Sequence, residues 1–428
     1  MQKSIYKILI LLKDKKLVRV FKNMSLLFFV QLCGYLVPIL EVPILARSLG
    51  VHEYGKIVMV QSVALLASLL VEYGFSLSAA RKVSLVKSDV EGLAKIFGEV
   101  LSAKIIIALV LLLLFSVFYI MLDSSHLSKE VVFFGFLYFL AFGFSPFWFF
   151  QGLEDITIVV IIEIFLRFSS LLCLFLFVTA PVDGTLALMV LAGFAVLNSL
   201  LGYILYFRVS CCFKISLIGG MHQIYEGFHV FVYKSSNNIL LSSGPALVGL
   251  FCGKVAVASY VPAEKIVRGF VGFINPVLIG FFPHLSRQYS SSVNSALKLS
   301  WIIIGAVFLL GIASAFFISI FGQYVIARVL GSDFIGAASV LNIFVWIIPL
   351  RMANQAVGLC MLIPRGLDRV ASRSILIFAV ISIILAGILS KMYGVEGIVY
   401  GFLIAELLLL ISLLFLSFKA NDSYKRYH

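Results

Sequence analysis

The sequence predicts an all-α polytopic membrane protein of about twelve spans in two sets of six. Three observations carry that prediction. Of 428 residues, 62% are hydrophobic and only 12% are charged, with a mean hydropathy of +1.12. A soluble domain is nearer half apolar and a quarter charged. The apolar residues fall in runs of about 20, the length that crosses a bilayer core. Lys and Arg also collect on alternate connections, as expected when basic loops stay in the cytoplasm. The net charge of +13 would suggest nucleic acid in a soluble chain, but here that loop bias accounts for it.

Residues 1–24 come first. Lys3, Lys7, Lys13, Lys15, Lys16, Arg19 and Lys22 stand between apolar pairs, the pattern of a basic amphipathic segment on a cytoplasmic membrane surface. The segment is too basic and too interrupted for a cleavable signal peptide. Six spans follow at 25–46, 56–78, 100–121, 131–151, 156–178 and 185–207. These make an amino-terminal bundle over 25–208. A cytoplasmic linker is read at 209–227. A carboxy-terminal bundle over 228–418 holds spans at 228–250, 262–283, 299–321, 336–361, 372–391 and 395–418, and a cytoplasmic tail closes the chain at 419–428. With the amino terminus inside, 21 Lys and Arg lie on the cytoplasmic side and six on the other. That ratio puts both termini in the cytoplasm. The remaining six of the 33, Lys104, Arg167, Lys234, Lys265, Arg268 and Arg351, fall within spans.

Two sets of spans around a mid-chain break suit a transporter with a site near the midplane. Pro38, Pro43, Pro146, Pro245, Pro276 and Pro349 mark bends. Such bends serve as hinges or as simple curvature, and are tolerated where neighbours satisfy the freed carbonyls. The six cysteines (Cys33, Cys173, Cys211, Cys212, Cys252 and Cys360) show no ligand spacing, so neither a disulfide framework nor a metal site is expected. The six histidines are scattered and form no catalytic constellation.

The functional signal is charge inside the membrane, where an unpaired ion costs several kcal/mol. At 3.6 residues per turn, Lys265, Arg268, Gly272, Asn275 and Ile279 share one face of the eighth span. That stripe reads as facing a polar cavity, with snorkelling of Lys265 to the interface as the plainer alternative. Lys234 precedes Ser235-Ser236-Asn237-Asn238, the most polar stretch of any span, and Arg351 follows Pro349 with Asn354 and Gln355 beyond it. Glu41 lies deep between Pro38 and Pro43. Glu163 and Arg167 stand four apart, the spacing of an intrahelical pair. Glu406 sits among Leu, Ala and Ile, and the sequence does not disclose its partner. With Lys234, Lys265, Arg268 and Arg351 set against Glu41, the cavity is expected to be net positive and to suit an anion.

Several stretches resemble the polysaccharide flippases of the multidrug/oligosaccharidyl-lipid/polysaccharide (MOP) superfamily, most closely the Wzx type that handles O-antigen units. They are Gln31, Pro38, Pro43 and Arg47-Ser48-Leu49-Gly50 with Tyr54-Gly55; the run from Tyr73-Gly74-Phe75 to Ala80-Arg81; and Tyr260, Ala263-Glu264-Lys265-Ile266-Val267-Arg268, Pro276 and Phe282-Pro283. The resemblance implies two six-helix bundles forming a V around a central cavity. It implies transfer of an undecaprenyl-pyrophosphate-linked oligosaccharide, as in lipopolysaccharide assembly, from the cytoplasmic to the periplasmic leaflet of a bacterial inner membrane. It places Arg47, Lys265 and Arg268 on the anionic head group; Lys234 and Arg351 join them on the cavity argument alone. No cofactor is implied. A proton or sodium gradient would drive alternating access, with Glu41 as the coupling site, and the polymerase and chain-length regulator of the same pathway are implied partners.

Two other classes fit the sequence less well. A multidrug or cation antiporter of the same superfamily would need an acid-rich cavity. An O-antigen polymerase or ligase would need a large periplasmic loop with catalytic Arg or His, whereas the longest on that side spans only residues 322–335. A lipid II flippase is a less favoured relative, since those often carry two extra helices.

Overall fold

The structure is a computed structural model. It describes the backbone of residues 15–121, 128–210 and 213–427, and the side chains of residues 33–114, 128–210 and 213–419 apart from 229, 232–242, 283, 290 and 332. Residues 1–14 and the side chain of Lys234 lie outside the described residues.

Helix α1 (Lys15–Glu72) runs 58 residues, far more than the roughly 20 that cross a bilayer core. It is broken at Gly50 (φ 69°, ψ 173°), a conformation open in practice only to glycine. The loop expected between the first two spans is therefore a single residue. Short helix α2 (Phe75–Leu85) follows the Tyr73-Gly74 break, then α3 (Val90–Met121), α4 (Lys129–Gly143), α5 (Phe147–Leu153), α6 (Thr157–Phe177) and α7 (Gly184–Val209). The second half comprises α8 (Leu217–Ser242), α9 (Gly244–Cys252), α10 (Lys254–Ser291), α11 (Val293–Leu330), α12 (Ile335–Phe344), α13 (Ile347–Val357) and α14 (Asp368–Tyr427). Helix α14 repeats the device of α1, with Gly394 (φ 58°, ψ −132°) breaking a 60-residue helix. Much of the expected 209–227 linker is the first part of α8.

Among the described residues, nine helical stretches are long and apolar enough to cross a membrane, and two of them, Cys33–Leu85 and Asp368–Lys419, contain these glycine breaks. The protein is a multi-pass, all-helical membrane protein. Helices of the first half pack mainly on one another, as do those of the second, and the halves meet chiefly where α10 lies along α1 and α8 along α3.

The break between α4 and α5 shows how a membrane helix tolerates proline. The helix is interrupted just before Pro146, so carbonyls beside the break lose their intrahelical donors. Three side chains replace them: Ser199 Oγ donates to Ala141 O (2.5 Å), Tyr203 OH to Phe144 O (2.9 Å) and Lys104 Nζ to Ser145 O (3.1 Å). Lys104, a span cation with no obvious partner in the sequence, is thus buried as the cap of a broken helix.

Candidate functional site

Between the halves lies a cavity of about 340 Å³. From the first half, α1 lends Glu41 and Gln61, α4 Tyr138, α6 Glu163 and Arg167, and α7 Asn198; from the second, α10 lends Glu264, Lys265 and Arg268. The stripe on α10 divides in two. Its first turn, Lys265 and Arg268, opens into the cavity. Gly272 instead packs on the Tyr35 ring of α1, while off the stripe Gly269 approaches Ile39 so closely that an added Cβ would stand 2.7 Å from it. Small residues let the two helices touch, so part of the expected polar face is a packing face.

Each cation of the cavity stands beside a carboxylate. Lys265 Nζ is 3.8 Å from Glu41 Oε2, across the two halves. Gln61 Nε2 donates to Glu41 Oε1 and to Tyr138 OH, both at 3.2 Å. Arg268 pairs with Glu264 one turn before it, and Arg167 with Glu163 at 2.7 Å. Glu41 and Glu264 are only 5% and 3% exposed, so they depend on these partners for their charge.

Among the described residues, three carboxylates therefore face three cations, so the positive excess expected from the sequence is not found among them. Two acids join Glu41 there: Glu264, whose i,i+4 spacing to Arg268 is a signal readable in the sequence, and Glu163, which the spacing alone assigns only to an intrahelical pair. Gln61, Tyr138 and Asn198 carry no such signal, being uncharged residues in largely apolar runs with no charged residue three or four positions away.

Arg351 does not line the cavity. It pairs with Glu406, whose carboxylate also accepts from Asn354 Nδ2 at 2.6 Å. That supplies the partner the sequence left open and seals both ions within the second half. Arg47 also lies off the cavity, donating from Nε and Nη2 to the carbonyls of Val329 (2.6 Å) and Arg328 (2.5 Å). Lys234 is on α8, and its side chain lies outside the described residues.

Long apolar helices, a junction between two halves and a charged cavity at that junction define a multi-pass transporter-like protein. Solved structures share the fold. A lipid II flippase MurJ in an inward closed conformation matches with a TM-score of 0.71 at 15% identity, over 92% of this chain and 87% of that one. An inward-facing multidrug resistance MATE family transporter of the MOP superfamily matches at 0.65 and 16%, over 92% and 96%. Residues 20–289 match the polysaccharide biosynthesis protein family, and the chain belongs to that family. A protein of Shigella dysenteriae named as an O-antigen transporter is 25% identical over 398 residues, 92% of this chain and 98% of that protein. One of the same name from Escherichia coli K12 is 25% identical over 270 residues, 62% and 64%.

Proposed function

We propose that the protein is a lipid-linked oligosaccharide flippase. It moves undecaprenyl-pyrophosphate-linked O-antigen, or a related surface polysaccharide unit, from the cytoplasmic to the periplasmic leaflet of the inner membrane. Both termini are cytoplasmic, and about twelve spans form two bundles that open alternately to either side. The family and the names of the relatives support this reading.

The observation that carries it is the set Arg167, Lys265 and Arg268 in one cavity, each beside a displaceable carboxylate. An entering pyrophosphate offers these cations a more highly charged partner, and Arg binds it in bidentate fashion. Arg268 and Lys265 receive the head group, with Arg167 as an addition from the structure. The sugar needs no dedicated charge. Glu41, released when Lys265 turns to the substrate, is the group that takes a proton or a sodium ion, and that gradient supplies the energy. The polymerase and chain-length regulator of the pathway receive the product.

A strain deleted for the gene tests this directly. Expected is loss of surface polymer with lipid-linked units held in the cytoplasmic leaflet, restored by the parent gene and not by Arg268→Ala. Normal polymer in the Arg268→Ala strain overturns the role given to that residue. A second reading, a cation-exporting multidrug transporter, draws on the three carboxylates of the cavity. It predicts unchanged polymer and raised drug sensitivity in the same deletion strain.

A further inference from the structure

The face of the protein away from its termini is closed by contacts between the halves. The first limb of α1 ends there at Gly50, α10 begins there at Lys254, and α11 ends there at Leu330. Two side chains take part in the closure. The guanidinium of Arg47, from the first half, donates to Val329 O and Arg328 O in the last turn of α11, in the second. Those carbonyls have no partner within their own helix and stand at its negative end. A cation there makes charge-assisted hydrogen bonds in a fork geometry that only Arg offers. One turn beyond Gly50, Tyr54 is fully buried, with its ring edge-on to Phe334 of the second half at 5.7 Å. Its hydroxyl has no hydrogen-bond partner among the described residues. Burying a hydroxyl unsatisfied is unfavourable, and opening this face to water would relieve it.

We propose that Arg47 is a latch that holds the two halves closed on the face away from the termini, and that the orphaned Tyr54 hydroxyl works against it. The proposal rests on the alternating-access reading above, and it moves Arg47 from the substrate set to the gate. The latch sits on the limb of α1 that also carries Glu41, six residues before Arg47, and the counterforce on the limb beyond Gly50. When Glu41 parts from Lys265, α1 is the element that carries the change to the outer face.

The two residues predict opposite signs, which a purely structural role does not. Ser62→Cys, at a cavity-lining position, serves as the reporter in the full chain with its native cysteines replaced by serine. In proteoliposomes it is labelled with a membrane-impermeant maleimide from the Arg47 face. Arg47→Ala is expected to label about tenfold faster than the parent, equivalent to about 1.4 kcal/mol. Arg47→Lys, which keeps the charge and loses the fork, falls between them. Tyr54→Phe, which removes the orphaned hydroxyl, labels more slowly than the parent.

Binding of inorganic pyrophosphate is expected to be unchanged or tighter in Arg47→Ala, because opening of this face and release of Lys265 are reciprocally coupled. Unchanged labelling in both Arg47 variants overturns the latch, and faster labelling in Tyr54→Phe overturns the counterforce. Weakened pyrophosphate binding in Arg47→Ala also overturns the latch and returns Arg47 to the substrate set. If Arg47→Ala fails to insert, Arg47→Lys and Tyr54→Phe still separate latch from counterforce by the same labelling rates. The labelling order needs no transported molecule. A failed flippase assay therefore leaves it intact, and a failed labelling order leaves the flippase assay intact.

Discussion

The cavity cluster and the Arg351–Glu406 cluster both pair basic residues with carboxylates inside the helical bundle. In the cavity, Lys265 reaches Glu41 across the two halves at 3.8 Å, and Arg268 pairs with Glu264 at the edge of open space. In the second half, Arg351 and Glu406 are 6% and 1% exposed, and Asn354 Nδ2 donates both to the Glu406 carboxylate and to its backbone carbonyl (3.0 Å). The first set has room beside it for another anion. The second is filled by its own members and ties α13 to α14. A charge within the membrane is thus a sign of function only when space adjoins it; otherwise it is a costly fastener.

The largest expected effect falls on the fastener. Arg351→Ala leaves Glu406 buried without its counter-ion and is expected to cost about 3–5 kcal/mol of stability, read as a lowered Tm in detergent. The double replacement Arg351→Met with Glu406→Leu removes both charges and is expected to restore most of that Tm. A transport-deficient double variant of normal stability would break the comparison by placing the pair in the mechanism.

Arg268→Ala should show a different profile, a loss of Tm smaller than that of Arg351→Ala because the carboxylate left behind, Glu264, borders the cavity, and a roughly tenfold to hundredfold loss of pyrophosphate affinity, as for losing about 1.5–3 kcal/mol of charged hydrogen bonding. Glu41→Gln sharpens the comparison within the cavity. It removes the counter-ion of Lys265 and should leave pyrophosphate binding intact or tightened while abolishing the dependence of transport on the imposed gradient. Persistence of that dependence would rule out Glu41 as the coupling group.

The smallest effect belongs to an ion pair outside the membrane. Lys82 Nζ bonds Glu226 Oε2 at 2.5 Å and Gln223 Oε1 at 2.7 Å, joining α2 to α8. The hydrogen bond from Lys82 lowers the Glu226 pKa, and the nearby charges of Lys82 and His222 add to it. A lowered carboxylate pKa adds stability above the unfolded value of about 4.3 and loses it as pH falls through the folded value. Protection of the amides over residues 217–226, relative to their intrinsic exchange, should fall only as pH drops below the unfolded carboxylate value of about 4.3, and Glu226→Gln should abolish that step. The pair is largely exposed and screened by salt, so no comparable change in Tm is expected.

Much of this was legible in the sequence. Composition and run length determined an all-helical, multi-pass protein, because in hydrocarbon only closed backbone hydrogen bonding is tolerated. Helical spacing placed Lys265 beside Arg268 and paired Glu163 with Arg167, since partners three or four residues apart meet on one helix. The partners that lie far apart in sequence were left to the tertiary structure. Glu406 finds Arg351, Lys104 finds the Ser145 carbonyl, and Arg47 finds the end of α11 only when separate helices pack. Periodicity assigns a residue to a face of its own helix, and it does not say what that face meets. So the sequence by itself determined which residues are charged within the membrane. Only packing decided which of them line a cavity, which fasten two helices, and which hold the two halves closed.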